Sequence, residues 1–274
     1  MTSSSKKNVK INMPRVTTAI GIVVCVLLAL YFGDFTSVLL FGAITLFGTI
    51  ELKHILGGKS TLRGAFIILA AFVPWLVLFL ADSATLYMYL VHLSVVFMLV
   101  LIVNLWVGRF PYKKIGPLFS MLYWGLPFGL LAWHTMDSTG IQLSLFGVIL
   151  IIWISDTFAY FTGKAIGKTK LLPSVSPGKT IEGSLGGGLF SILVALLFAK
   201  IISASILQWV VIATLVWVIG TLGDLVESKI KRTNDVKDSG SILPGHGGFL
   251  DRFDSLVMVI PFLLLLKMII GFYN

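Results

Sequence analysis

The chain has 274 residues, of which 57% are hydrophobic and 12% are charged. A soluble domain carries about twice that share of charged residues, so the composition excludes a water-soluble globular protein and indicates an integral membrane protein. The single cysteine, Cys25, excludes an internal disulfide framework.

Nine apolar stretches have lengths near the ~20 residues that a helix needs to cross about 30 Å of hydrocarbon. Backbone polar groups in lipid must be satisfied within one segment, so each stretch is predicted to be a helix. The sequence therefore predicts an all-α integral membrane protein, a polytopic bundle of about nine transmembrane helices. The predicted spans are residues 16–33, 36–50, 64–81, 86–108, 115–133, 141–161, 183–203, 206–226 and 252–272.

Basic residues collect on one side when these spans alternate from a cytoplasmic N-terminus. Of the 21 lysines and arginines, all but Lys200 and Lys267 then lie on the cytoplasmic side, as the positive-inside rule expects. The formal net charge of +9 is therefore attributed to topology, and no nucleic acid partner is expected.

Residues 1–140, the first predicted part with about five spans, contain few groups with recognisable chemistry. The isolated His54, His92 and His134 are interpreted as local hydrogen-bonding groups. Glu51, at the cytoplasmic end of the second span, is interpreted as a solvated helix end.

Residues 141–274 form the second, catalytic part, with cytoplasmic polar loops at 162–182 and 228–250. Most of the 12 acidic residues lie here. Carboxylates at membrane depth are costly, and they usually mark function.

Two pairs of carboxylates flank the second loop. Asp224 and Glu227 are three residues apart, as are Asp251 and Asp254, so each pair shares one helix face. The loop between them reverses direction, so the pairs could converge at one membrane surface around a hard cation such as Mg²⁺. The alternative is that these acids pair with neighbouring basic residues, namely Lys229, Lys231, Arg232 and Arg252.

Glycines mark both polar loops. Gly247 and Gly248 precede a helix expected to begin near Asp251, where their backbone N–H groups could cradle a phosphate. In the first loop, Ser176–Thr180 reads SPGKT, but Pro173 breaks the P-loop spacing and no strand is expected before it. What remains is a basic loop that could bind nucleotide phosphates.

Gly183 and Gly187 follow that loop with the spacing of small residues that lets helices approach closely. Helix packing is therefore the expected role of these two glycines.

The segment SKIKRTNDVKDSGSILPGHGGFLDRFDS, Ser228–Ser255, resembles the signature of the phosphatidate cytidylyltransferase (CDP-diacylglycerol synthase) family. The stretches SDTFAY and SPGKTIEG resemble that family's preceding loop, and the resemblance covers about residues 150–260. It implies transfer of CMP from CTP to phosphatidate in phospholipid biosynthesis, giving CDP-diacylglycerol and pyrophosphate without a covalent enzyme intermediate. It further implies Mg²⁺, an optional monovalent cation such as K⁺, and a homodimer in the plasma (inner) membrane, contacting membrane lipid.

The resemblance assigns metal binding to Asp224 and Asp251. Phe158 departs from the family pattern, which is expected to have a small residue there. The residues expected to be catalytic are Asp224, Asp251, Asp254, Lys237, His246 and Arg252. The residues expected to bind substrate are Asp156, Ser176, Lys179, Thr180, Lys231, Arg232, Gly247 and Gly248.

Two other functions are compatible with embedded acids. An ion-coupled transporter would hold its site nearer the membrane midplane, whereas these polar residues cluster at one face. Another lipid-phosphate transferase, joining a CDP-linked lipid to an alcohol, would be expected to carry a D-G-x-x-A-R pattern, which this sequence lacks.

Overall fold

The computed structural model describes residues 13–58, 60–108, 110–137, 141–240, 242–243 and 247–270. Within these ranges the chain is a bundle of helices with one antiparallel hairpin. The α-helices are α1 (Met13–Tyr31), α2 (Asp34–Ile55), α3 (Thr61–Ala81), α4 (Ala84–Val107), α5 (Gly116–Ser120), α6 (Leu126–Asp137), α7 (Ile141–Ile166), α8 (Ile181–Ile201), α9 (Ile206–Thr233) and α10 (Asp254–Ile270). The strands are β1 (Lys170–Leu172) and β2 (Ser176–Thr180).

Over the residues that the structure describes, each predicted span overlaps helical backbone. The fifth span is α5 and α6, joined by a π-helical segment, Met121–Gly125. Among the described residues, 6 helices are long and apolar enough to cross a membrane: α2, α3, α4, α7, α8 and α9. The prediction of an all-α, multi-pass membrane protein is confirmed, whereas the count of nine crossings and the cytoplasmic N-terminus stay predictions.

The outside of the bundle is apolar. Large side chains such as Leu62, Leu80 and Leu197 are exposed there, while hydroxyl side chains such as Thr45 and Thr49 are buried between helices. Both threonines donate hydrogen bonds to carbonyls one turn earlier, Thr45 at 2.8 Å and Thr49 at 2.6 Å. An apolar exterior, together with interior hydroxyl groups that bond to their own helix, fits lipid as the surrounding solvent.

The small residues of α8 bring it against α7. A Cβ at Gly183 would lie 2.7 Å from the carbonyl oxygen of Ala159, and one at Gly187 would lie 2.7 Å from that of Ser155. The packing role predicted for these two glycines is confirmed. The close approach brings the C-terminal half of α7, which carries Asp156, alongside the start of α8.

The two predicted polar loops are shorter than the sequence suggested. Helix α7 continues to Ile166 and α9 continues to Thr233. In the last turns of α9, Glu227 and Lys231 form an i, i+4 ion pair at 3.3 Å, and basic residues there also favour the helix C-terminus. The division at residue 140 stays a prediction.

The first polar loop contains the hairpin. Lys170 pairs with Thr180 and Leu172 pairs with Ser176. SPGKT is therefore a strand rather than a phosphate-wrapping loop, which agrees with the rejection of a P-loop. The expectation that no strand precedes it was wrong, because β1 does.

Candidate active site

A cavity of about 510 Å³ lies between α7, α8, α9, the hairpin and the segment that leads into α10. Its wall contains acidic, basic and hydroxyl side chains of residues that the sequence predicted to form the site. The site residues that line it are Asp156, Ser176, Lys179, Thr180, Asp224, Asp251, Arg252 and Asp254. Residues from α7, β2, α9, the turn before α10 and α10 itself therefore face one space.

The hairpin places Lys179 beside α9. Its ammonium group forms an ion pair with Asp224, and Ser228 donates a hydrogen bond to the same carboxylate at 3.4 Å. Thr180 caps α8, because its hydroxyl accepts from the N–H of Gly183 at 3.1 Å. Thr180 thus has a local structural partner in addition to its place in the cavity wall.

Asp251 lies just before α10, in a short 3-10 turn, Leu250–Arg252. Its Oδ1 accepts from the Nζ of Lys231 at 2.5 Å, and its Oδ2 accepts from the N–H groups of Ser239 at 3.4 Å and Gly248 at 3.3 Å. Burial alone raises the pKa of Asp251, but the ammonium group of Lys231 and the N–H of Ser239 hold the pKa below its usual value.

Asp254 begins α10 and accepts from the N–H of Ser255 at 2.7 Å. The hydroxyl of Ser255 donates to the carbonyl of Gly220 on α9 at 3.3 Å. This contact fixes the start of α10 against the turn of α9 that precedes Asp224, so Asp224 and Asp254 face the same cavity.

Other predicted residues lie away from the cavity wall. Lys231 is buried between Glu227 and Asp251, and Arg232 donates to the carbonyl of Val236 at 3.4 Å. Lys237 is exposed. His246 lies outside the described residues. The binding and catalytic roles expected of these residues stay predictions, and for Lys231 the geometry favours an ion-pair role.

The glycine turn also has internal contacts. The N–H of Gly248 donates to Asp251, and the carbonyl of Gly247 accepts from the N–H of Leu243 at 3.3 Å. Gly247 has a φ of +81°, a conformation that favours glycine. The phosphate cradle expected at these two glycines stays a prediction.

Phe158, the departure from the expected pattern, packs onto α8. Its ring stacks on Phe190 with the centroids 3.6 Å apart. The aromatic side chain fills space between the two helices and does not line the cavity.

The donor chemistry of the cavity fits a hard cation, although its carboxylates have other partners here. Within the described ranges, no group of 3 or more His, Cys, Asp or Glu residues is arranged to hold a metal ion. Asp251 contacts Lys231, one of the partners in the pairing alternative raised by the sequence, whereas Asp224 contacts Lys179, which that alternative did not include. Glu227 is 1% exposed, forms the ion pair with Lys231 and does not line the cavity. The carboxylates that do line it are oxygen donors of the kind that suits Mg²⁺.

A second cavity, about 430 Å³ in volume, lies between α1, α2, α7 and the start of α10. Apolar side chains such as Val26, Phe41 and Ile152 form most of its wall. It ends at residues that also line the first cavity: Asp156, Asp251, Arg252 and Asp254. A polar and an apolar cavity therefore share one charged boundary.

Glu51 is a polar residue that the sequence interpretation placed wrongly. It is not a solvated helix end, because it is 1% exposed and accepts hydrogen bonds from Ser239 at 2.8 Å and from the N–H of Leu250 at 2.9 Å. A signal was present, since a carboxylate near the C-terminal end of a helix is unfavourable next to the helix dipole unless it has a tertiary partner.

Comparison with known proteins adds to this geometry. The model of the cytidylyltransferase family matches residues 13–270. The chain is 47% identical over 132 residues to the phosphatidate cytidylyltransferase of Bacillus subtilis (strain 168), covering 47% of this chain and 49% of that protein. Proteins of the same name from Staphylococcus epidermidis (strain ATCC 12228 / FDA PCI 1200) and Staphylococcus aureus (strain COL) are 47% and 45% identical over 148 residues, covering 53% of this chain and 56% of each relative. The alignments thus span about half the length of these relatives.

Proposed function

Because the chain belongs to the cytidylyltransferase family, we propose that it is a phosphatidate cytidylyltransferase, which converts CTP and phosphatidate into CDP-diacylglycerol and pyrophosphate. The observation that carries the proposal is the shared boundary of the two cavities at Asp156, Asp251, Arg252 and Asp254. One substrate is a soluble polyanion and the other is a lipid, so their reaction needs a polar and an apolar compartment in contact. The names of the matched relatives support the same reaction.

The chemistry needs no enzyme nucleophile. The phosphate monoester of phosphatidate has a second pKa near ~6 and is largely dianionic at neutral pH. One of its oxygens attacks the α-phosphorus of CTP, the bond from that phosphorus to the bridging oxygen of the β-phosphate breaks, and pyrophosphate leaves. Bringing two polyanions together is the main difficulty, so positioning and electrostatics dominate catalysis.

The residues around the cavity suit that task. Lys179 and Arg252 line the polar cavity and would neutralise phosphate oxygens of CTP. Asp224 and Asp251 would hold Mg²⁺, which when bound supplies positive charge to the triphosphate. Lys179 would then exchange its contact with Asp224 for a phosphate. The family resemblance supports an optional K⁺, a homodimer and a plasma-membrane location, and the distribution of basic residues supports a cytoplasmic active site.

The direct test is turnover by purified protein given labelled CTP, phosphatidate and Mg²⁺, with the labelled lipid measured. Asp224→Asn and Asp251→Asn should each lower turnover at least about 100-fold if these carboxylates hold the cation. Asp235→Asn is the matched control, because Asp235 is exposed on the same loop and lies outside both cavities. No lipid product from the wild type would refute the function, and wild-type turnover in either cavity variant would refute that ligand assignment.

A further inference from the structure

Glu51 connects the second helix to the loop that carries Asp251. Its Oε2 accepts from the hydroxyl of Ser239 at 2.8 Å and the N–H of Leu250 at 2.9 Å, and its Oε1 accepts from the N–H of Ile242 at 3.4 Å. All three donors lie almost 200 residues further along the chain, the most distant at a separation of 199. The Glu51 carboxylate thus contacts both ends of the segment from Ser239 to Leu250.

Two of these donors are directly connected to Asp251, Leu250 by the chain and Ser239 by a hydrogen bond. Leu250 is its chain neighbour, so the bond to Glu51 fixes the peptide that leads into Asp251. Ser239 contacts both acids, because its hydroxyl donates to Glu51 and its N–H donates to Asp251. The position of Asp251 is therefore tied to Glu51 through the backbone and through a side chain.

Two glycines, Gly240 and Gly248, leave space for the Glu51 carboxylate. A Cβ at Gly240 would overlap Glu51 Oε1, and a Cβ at Gly248 would lie 2.9 Å from Glu51 Oε2 and 2.7 Å from Asp251 Oδ2. Both glycines therefore let the backbone close over the two acids. A carboxylate that is 1% exposed loses its hydration, and these donors replace the lost water.

We propose that Glu51 is a positioning residue, which holds Ser239, Ile242 and Leu250 in place so that Asp251 faces the cavity. Glu51 lines neither the polar nor the apolar cavity, so it acts through Asp251 rather than on substrate. The proposal rests on the proposed function for its effect on turnover, whereas its effect on the segment is independent of any activity.

The experiment compares Glu51→Gln and Glu51→Ala with Thr49→Val. Glutamine keeps one acceptor oxygen and the side-chain size, and alanine removes every acceptor. Thr49 is a matched control, because it is buried on the same helix and, among the described residues, its hydroxyl donates to the carbonyl of Thr45 alone. A thiol at the exposed position 242, as Ile242→Cys in a Cys25→Ser background, reports on the segment through its rate of alkylation.

Glu51→Ala should lower kcat per folded molecule about 100-fold, since a misplaced catalytic group costs that order of rate. Glu51→Gln should lower kcat about 10-fold, because the rate loss should correspond to the free energy of one hydrogen bond to a charged acceptor. The KM for CTP should change less than twofold or so in Glu51→Gln, because the cavity wall is intact. The thiol at position 242 should be alkylated about 10-fold faster in both variants, and Thr49→Val should match the wild type.

Both changes are required. Unchanged alkylation, or kcat per folded molecule within about twofold of wild type, overturns the positioning role even if the other value changes. If Glu51→Ala does not fold, Glu51→Gln decides by the same two measurements. A wild-type protein that makes no lipid product refutes the proposed function alone, and the alkylation rates then still test whether Glu51 holds the segment.

Discussion

Lys179 and Lys231 contact the two carboxylates that are expected to bind metal, but in different surroundings. The pair of Lys179 and Asp224 is open to the cavity, with the side chains 26% and 34% exposed. The side chain of Lys231 is 11% exposed and lies between Glu227 and Asp251. A partly exposed pair contributes about 0–1 kcal/mol to stability, whereas breaking a buried one costs roughly 3–5 kcal/mol. Substitution of Lys179 is therefore expected to affect mainly nucleotide binding, and substitution of Lys231 mainly the stability of the fold.

Lys179→Ala should impair nucleotide binding while leaving the protein folded. Loss of one charge-assisted contact to a phosphate predicts an apparent KM for CTP about tenfold higher, and the free energy of unfolding should change by less than about 1 kcal/mol. Kinetics with each substrate varied in turn checks this. An equal rise in the KM for phosphatidate would argue for a general structural role instead.

Lys231→Met should destabilise the protein, because Asp251 would keep its negative charge in a partly buried position without the lysine that pairs with it. We expect the free energy of unfolding to fall by about 3 kcal/mol, measured by denaturant titration in detergent micelles. Full stability together with a raised KM for CTP would instead restore the substrate-binding role that the sequence suggested for Lys231.

The turn before α10 depends on its two glycines for different reasons. Gly247 needs its left-handed φ of +81°, where an alanine costs about 1–2 kcal/mol. Gly248 needs space, since an added Cβ would overlap the Ser239 hydroxyl and lie 2.7 Å from Asp251. Loss of activity on changing Gly248 would thus report a displaced Asp251, and not by itself a phosphate cradle.

Gly248→Ala should therefore lower turnover per folded molecule about 100-fold, while Gly247→Ala should lower mainly the yield of folded protein. The comparison requires turnover normalised to folded protein, for example to the monodisperse fraction in detergent. Near-normal turnover in Gly248→Ala would show that the turn can move without disturbing Asp251. Collapse in Gly247→Ala at full stability would support the phosphate cradle.

The helices could be predicted from sequence because an apolar run of membrane-spanning length has few alternatives to a helix in lipid. The hairpin could not, since its strands have 3 and 5 residues and β2 contains Pro177 and Gly178. Both residues normally argue against a strand, but each strand of a two-stranded ribbon is an edge strand, where proline is tolerated. Propensity alone therefore favoured a loop.

The candidate site was predictable where charge was concentrated. Asp156, Asp224, Asp251 and Asp254 stand out in an apolar sequence, and all four line the polar cavity. The role of Glu51 was not predictable in the same way, because its partners lie at separations of 188 to 199 residues. Only the folded chain brings these groups together.

At the scale of the whole molecule, the N-terminal helices contribute more than membrane anchoring. Helices α1 and α2 form one wall of the apolar cavity, while α7 and the start of α10 form the other. The polar cavity is built from the later helices and the hairpin. Under the proposed function, the first two helices would hold the acyl chains of phosphatidate, and the later elements would hold the nucleotide. Substitutions in α1 should then affect one substrate only.

Val23→Phe tests this separation, because Val23 lines the apolar cavity from α1. The added bulk should raise the apparent KM for phosphatidate roughly tenfold, as expected when a hydrophobic pocket loses space, and leave the KM for CTP unchanged. Val24→Phe is the control, since Val24 is 44% exposed on the same helix and lies outside the cavity. Saturation curves for each substrate in mixed micelles distinguish the two variants. Equal effects on both substrates, or equal effects of the two variants, would contradict an acyl-chain site between α1, α2 and α7.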